Sequence, residues 1–169
     1  MSTKKNRQVV AFVAGLMILA SSCSSSKQSA TATASRNDVK GTWVLDNITY
    51  DGIPQGLKVK LTLLGEGDET CLEGSTWVFP NNGNGSYTIS QNESTDCVPG
   101  ERNIVWSYRQ ENGQTILQYK RLPGGVKAKD ITDGYRFDIL SATDATLALR
   151  SNVNFEGSTI SINYNFTRK

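Results

Sequence analysis

The sequence predicts an all-β chain, a small antiparallel up-and-down β-barrel of about eight strands that follows an export signal and a flexible tether. Three observations predict it. From Lys40 onward the apolar residues recur with a period of two rather than 3.6. Turn formers, chiefly Asn, Asp and Gly, interrupt that alternation every 8 to 15 positions. No stretch has the length and spacing of an amphipathic helix, although residues 65–74 could hold a short one. Consecutive antiparallel strands joined by tight turns leave two open edges, and closing the sheet into a barrel removes both.

Residues 41–50 open the barrel. Over residues 57–64, Leu57, Val59, Leu61 and Leu63 alternate with Lys58, Lys60 and Thr62, which reads as a strand and makes nine candidates, eight or nine of which form. Trp77 and Phe79 lead through Asn81-Asn82-Gly83-Asn84-Gly85 to Tyr87 and Ile89, a hairpin. Ile104, Trp106 and Tyr108 face inward on the next strand and connect through Asn112-Gly113 to Leu117 and Tyr119. That dipeptide is a strong hairpin signal, because both residues tolerate positive φ. Tyr135, Phe137 and Ile139 form another inward row, and Leu147 and Leu149 the next. Ile160, Ile162, Tyr164 and Phe166 close the chain with the clearest alternation of all.

Ahead of this body, residues 1–8 are basic and residues 9–20 form a 12-residue apolar run, the pattern of a signal peptide over residues 1–22. The run is shorter than the roughly 20 residues a membrane-spanning helix needs. Leu19-Ala20-Ser21-Ser22-Cys23 resembles the bacterial lipobox, with Leu19 one step further from the cysteine than usual, so Cys23 is expected to carry a lipid after cleavage. Residues 23–38 then read as the lipidated cysteine and a tether, since Ser24 to Asn37 contains no large apolar residue and lacks the means to join a core. Its 14 residues would hold the domain on the order of 20 Å from the bilayer. The barrel domain is expected over residues 39–169.

Of 18 Lys and Arg against 16 Asp and Glu, Lys4, Lys5 and Arg7 precede Cys23, so the remainder carries 15 bases to 16 acids, a net charge of −1. A near-neutral chain without a basic cluster lacks the phosphate-neutralising charge that nucleic-acid binding requires. There is no histidine, which removes imidazole as base, metal ligand or haem ligand and leaves no serine or cysteine a histidine to activate it. With Cys23 lipidated, Cys71 and Cys97 remain in an oxidising compartment, and a disulfide is the reading that fits; a redox pair or thiolate metal site lacks the CxxC spacing. The acid clusters Asp130 with Asp133, and Glu66, Asp68 and Glu69, fall in loops beside glycines and read as solvated turn residues rather than a catalytic carboxylate pair or a calcium loop. Neither an enzyme nor a cofactor or metal site is expected.

The opening Gly41-Thr42-Trp43, the run of short hairpin-linked strands and the closing Tyr164-Asn165-Phe166-Thr167-Arg168 together resemble the lipocalin-like lipoproteins of Bacteroidetes, over roughly residues 39–169. The resemblance implies that Trp43 plugs one barrel end, packed against Arg168 from the end of the last strand, with Arg150 as second choice. Tyr87, Trp106, Tyr108, Tyr119 and Phe137 would line a ligand pocket if the interior is open; in an eight-stranded barrel the same inward positions equally well fill a solid core. The implied function is a lipid-anchored envelope protein binding a small apolar ligand. The alternative is a protein–protein module of the envelope, an inhibitor or accessory subunit with a filled core. A membrane-spanning barrel would show the same alternation, but the cysteine pair, the short strands and the Arg168-Lys169 ending argue against it. Ser24-Ser25-Ser26-Lys27 carries no acid after Cys23, which favours the periplasmic face of the outer membrane.

Overall fold

The period-two alternation becomes eight antiparallel strands in the computed structural model, which describes residues 34–54, 60–90, 97–155 and 157–169. They are β1 (Gly41–Asp51), β2 (Thr76–Phe79), β3 (Asn84–Ile89), β4 (Gly100–Glu111), β5 (Gln114–Arg121), β6 (Tyr135–Ala142), β7 (Thr146–Phe155) and β8 (Ser158–Arg168). Each strand pairs with its neighbour in sequence, and β8 returns to β1, so the barrel closes without an unpaired edge. Two single-turn helices accompany it, α1 (Arg36–Val39) before β1 and α2 (Glu69–Leu72) in the β1–β2 connection. The β4–β5 hairpin turns on Asn112 and Gly113, at φ 50° and 78°, with Glu111 opposite Gln114.

The inward rows carry Trp77, Phe79, Tyr87, Ile104, Trp106, Leu117, Tyr119, Phe137, Leu149, Ile162 and Phe166, all buried. Each such side chain contributes about 1.5–3 kcal/mol through burial alone. The outward row of β4, with Glu101, Asn103, Ser107 and Arg109, is exposed. Apolar-in and polar-out is the reverse of a lipid-facing barrel. Among the described residues no helix is long and apolar enough to cross a membrane.

One end is shut by α1 and the β1–β8 seam. Trp43 is fully buried, its Nε1 donates to Val39 O at 2.8 Å, and the Arg168 guanidinium lies over its ring. Arg168 also donates to Lys40 O at 2.8 Å, Asp38 O at 3.0 Å and Asp144 O at 2.6 Å, tying α1 and the β6–β7 turn to the same plug. Gly41 stands at φ 138°, where a Cβ would lie 2.2 Å from Arg168 Nη1, so the glycine of the Gly-Thr-Trp opening makes room for the guanidinium. Arg150 is engaged elsewhere, with Asn163 Oδ1 at 2.7 Å and Asp51 Oδ2 at 3.3 Å.

Two expectations need correction. Residues 34–38, assigned to the tether, belong to the barrel's closed end: Ala34 is buried, its carbonyl accepts from the Tyr108 hydroxyl at 2.5 Å, and the Arg36 guanidinium lies 4.2 Å from the Trp106 ring centre. A small alanine and a cation over an indole need no large apolar side chain, which is why composition misassigned them. Of residues 57–64, the described part, residues 60–64, forms no strand. Residues 55–59 lie outside the described residues, Lys60 to Thr62 are in no strand, and Leu63 makes one isolated bridge to Gly67. The signal residues 1–22, Cys23 and the tether as far as residue 33 also lie outside the described residues.

Candidate functional site at the lidded mouth

The opposite end of the barrel is covered by the β1–β2 connection, whose Leu63, Leu64 and Leu72 are buried in the same core cluster as the barrel's inward rows. The sequence builds this lid in two parts. Asp68 caps α2 by accepting from Thr70 N at 3.2 Å. The helix is then fixed to β1, where the Tyr50 hydroxyl donates to Glu69 Oε2 at 2.9 Å and Ile48 N donates to Glu73 Oε1 at 2.8 Å. Cys71 on α2 is bonded to Cys97 in the β3–β4 connection, a 26-residue separation, which bolts the lid to a second loop.

The lid tip is a tight turn over Leu63 to Gly67, closed by Leu63 N donating to Gly67 O at 2.6 Å and Glu66 N donating to Leu63 O at 2.9 Å. Gly65 and Gly67 take positive φ, and so does Leu64 at 52°. That conformation costs a leucine roughly 1–2 kcal/mol, which the burial of its side chain offsets.

The turn drives Glu66 inward, and its side chain is only 4% exposed. The Tyr87 hydroxyl donates to Glu66 Oε1 at 2.6 Å, Arg102 Nη2 to Oε2 at 2.8 Å and Nε to Oε1 at 3.2 Å, and Arg121 Nη1 lies 3.1 Å from Oε1. Glu66 is therefore not the solvated loop acid its glycine-rich setting suggests: the same glycines that mark a turn let it fold back into the barrel. Asp130 and Asp133, by contrast, are exposed. Among the described residues no cluster of acidic or cysteine side chains could hold a metal ion.

Beside this cluster, between the lid and the wall formed by β6, β7 and β8, is a cavity of about 320 Å³. Leu63 and Leu64 line it from the lid, and Tyr135, Phe137, Ile162 and Tyr164 from the wall, with Ser151 and Val153 towards its rim. Tyr135 joins cavity and cluster: its hydroxyl and Arg121 Nη1 both flank Gly65 of the lid tip, 3.1 and 3.6 Å from where a Cβ there would lie. The lining sets these aromatic and aliphatic side chains among the polar Thr62, Arg136, Ser151 and Asn152, a mixture of apolar surface and a few polar groups that suits a small-molecule site.

The five aromatic residues singled out from the sequence do not share one pocket. Trp106 and Tyr108 belong to the closed end, where Trp106 Nε1 donates to Pro80 O at 3.0 Å. Tyr87 stacks on Trp77 with centroids 4.3 Å apart, and Tyr119 packs edge-on to Trp77 and parallel to Phe137. These rings fill the middle of the barrel, and Phe137 alone of the five reaches the mouth cavity. The Tyr119 hydroxyl is buried without a hydrogen-bond partner, and burial pushes its pKa well above the ordinary phenol value. Tyr87 is raised in the same way, by burial first and by its bond to Glu66 second. Missed from the sequence were Glu66, Arg102 and Arg121, together with the mouth residues Leu63, Leu64, Tyr135, Ile162 and Tyr164. Tyr135, Ile162 and Tyr164 sit on inward rows that the alternation marks, but nothing in alternation tells which end of a row is open.

A family model described as a lipocalin-like domain matches residues 39–149. No curated protein matches the chain. Among solved structures, bovine odorant binding protein complexed with its natural ligand is similar at 14% identity and a TM-score of 0.40, covering 82% of this chain and 76% of that one. The same bovine protein with a selenium-containing odorant matches at 13% identity and 0.40, covering 82% and 74%.

Proposed function

This chain belongs to the lipocalin-like domain family, a fold that typically binds small hydrophobic ligands, and from that membership we propose that it is a lipid-anchored carrier rather than an enzyme. The observation that carries the reading is the cavity of about 320 Å³ at the mouth, with Leu63 and Leu64 of the lid on one side and Tyr135, Phe137 and Tyr164 of the wall on the other. Its volume falls at the small end of the range for ligand sites, about 300–1,000 Å³, so the ligand is small or enters only with its apolar part. The filled middle and the Trp43 plug confine it to the mouth half. The barrel would hang from a lipid on Cys23, a reading supported by the charged and apolar runs of residues 1–22, and at the periplasmic face of the outer membrane, a reading supported by the acid-free Ser24-Ser25-Ser26-Lys27.

The solid aromatic middle also suits the alternative, an envelope protein that uses its surface to hold a partner. Native mass spectrometry of the detergent-purified protein separates the two: a small molecule retained by the folded barrel supports the carrier, and a bare barrel bound to another envelope protein supports the alternative. The anchor is tested by growing cells with labelled palmitate. Label should be lost in Cys23→Ala, and label retained by that variant contradicts the lipid assignment.

A further inference from the structure

We propose that Arg102, Arg121 and Tyr87 form an anion receptor at the barrel mouth, that Glu66 of the lid fills it as a built-in stand-in, and that the true occupant is an apolar molecule with a carboxylate head. The inference rests on the small-ligand reading above and adds the class of ligand and the means of its admission.

The geometry already demonstrates what the receptor takes. Three donors from three different strands converge on one carboxylate, with contacts of 2.6 to 3.2 Å. The carboxylate belongs to a short loop, not to the barrel, and no strand pairing holds that loop beyond the Leu63–Gly67 bridge within itself. Two guanidiniums face a single carboxylate there, so the receptor is cation-rich even when Glu66 is in place. If Glu66 withdraws, the largely buried Arg102 and the partly exposed Arg121 lose their shared counter-charge, and an incoming carboxylate is favoured in its place.

The apolar half of the ligand has a place as well. Leu63 and Leu64, which precede Glu66, line the cavity together with Tyr135, whose hydroxyl flanks Gly65 of the tip beside Arg121. A ligand whose carboxylate replaces that of Glu66 would lay its apolar chain along Phe137, Ile162 and Tyr164, displacing the two leucines with the tip. The exchange is charge-neutral, one carboxylate leaving as one enters. The Cys71–Cys97 bond and the α2 contacts to β1 lie beyond the tip in sequence, so the tip can swing out while the rest of the lid stays bolted.

The test uses the full folded domain and a fluorescent pair, cis-parinaric acid and its methyl ester, titrated into the native chain, Glu66→Gln and Arg121→Gln. Arg121 keeps 38% of its side chain exposed, so its replacement is tolerable to the fold. Removing the competing carboxylate should tighten the acid by about tenfold or more, the worth of a charge-assisted hydrogen bond, and leave the ester within about threefold. Arg121→Gln should abolish the preference for acid over ester. Should Glu66→Gln be too unstable to titrate, its melting temperature gives the same answer, because lauric acid should restore it and dodecanol should not. Equal binding of acid and ester in all three proteins overturns the receptor while leaving the carrier reading intact. Binding of neither probe to any of them overturns both.

Discussion

Arg168 holds its guanidinium carbon 4.1 Å from the centre of the Trp43 ring, and the two residues are Cα partners across the seam where the last strand meets the first. One contact thus closes the barrel twice, by pairing β8 with β1 and by capping the interior. Trp43→Ala should cost about 3–5 kcal/mol as a large-to-small core change. Arg168→Ala should cost less, since the stack contributes about 0.5–2 kcal/mol, with the bonds to Lys40, Asp38 and Asp144 adding to it. Urea denaturation of both single variants and the double variant should give a coupling energy clearly above zero. Strict additivity would mean that the stack contributes nothing to closure.

The Cys71–Cys97 bond ties α2 to the β3–β4 connection. Its removal should cost on the order of 3 kcal/mol and lower the melting temperature by about 6–12 °C. Hydrogen exchange in the Cys71→Ser, Cys97→Ser double variant should rise first in residues 60–74, while β4 and β5 stay protected. Uniform deprotection of the barrel would show that the bond supports the whole fold rather than the lid.

Tyr50, Tyr87, Tyr119 and Tyr164 all have phenol pKa values raised above the ordinary 10.0, with burial as the first cause in each. The fold therefore favours their neutral form. Their contribution to stability is fully present below pH 10 and is lost as pH climbs from the unfolded value towards the folded ones. Unfolding free energy should accordingly be insensitive to these groups near neutrality and fall steeply above about pH 10. In a spectrophotometric titration their ionisation should coincide with loss of the near-ultraviolet circular dichroism. Four phenolates appearing while the tertiary signal persists would contradict the burial described here.

Much of the barrel is legible in the chain because strand and turn are local properties. Ile160 to Phe166 alternate without a break, and Asn112-Gly113 marks its hairpin by the φ values the two residues accept. The Trp43–Arg168 pairing came from a resemblance, as 125 positions separate the two residues. The lid was hidden by the same rule that revealed the strands: Leu61 and Leu63 alternate like a strand, yet the chain turns back on itself at the Leu63–Gly67 bridge instead of pairing with the barrel. Glu66 was hidden for a different reason. Its partners Tyr87, Arg102 and Arg121 are 21, 36 and 55 positions away, so a turn acid that folds inward looks, in sequence, like one that points to water.

The proposed function puts the ligand at the lidded mouth and not in the aromatic middle or at the plugged end. Titration of N-phenyl-1-naphthylamine, an uncharged apolar fluorophore, into native protein, Val153→Trp and Tyr108→Phe tests it most directly. Val153 sits half-buried at the cavity rim, so a tryptophan there should fill the space without rebuilding the core. Tyr108→Phe removes only the hydroxyl that bonds to Ala34 at the closed end. Saturable binding is expected with the native protein and with Tyr108→Phe, and its loss in a Val153→Trp protein of unchanged secondary structure. Undiminished binding to Val153→Trp, or no binding to the native protein, would contradict it.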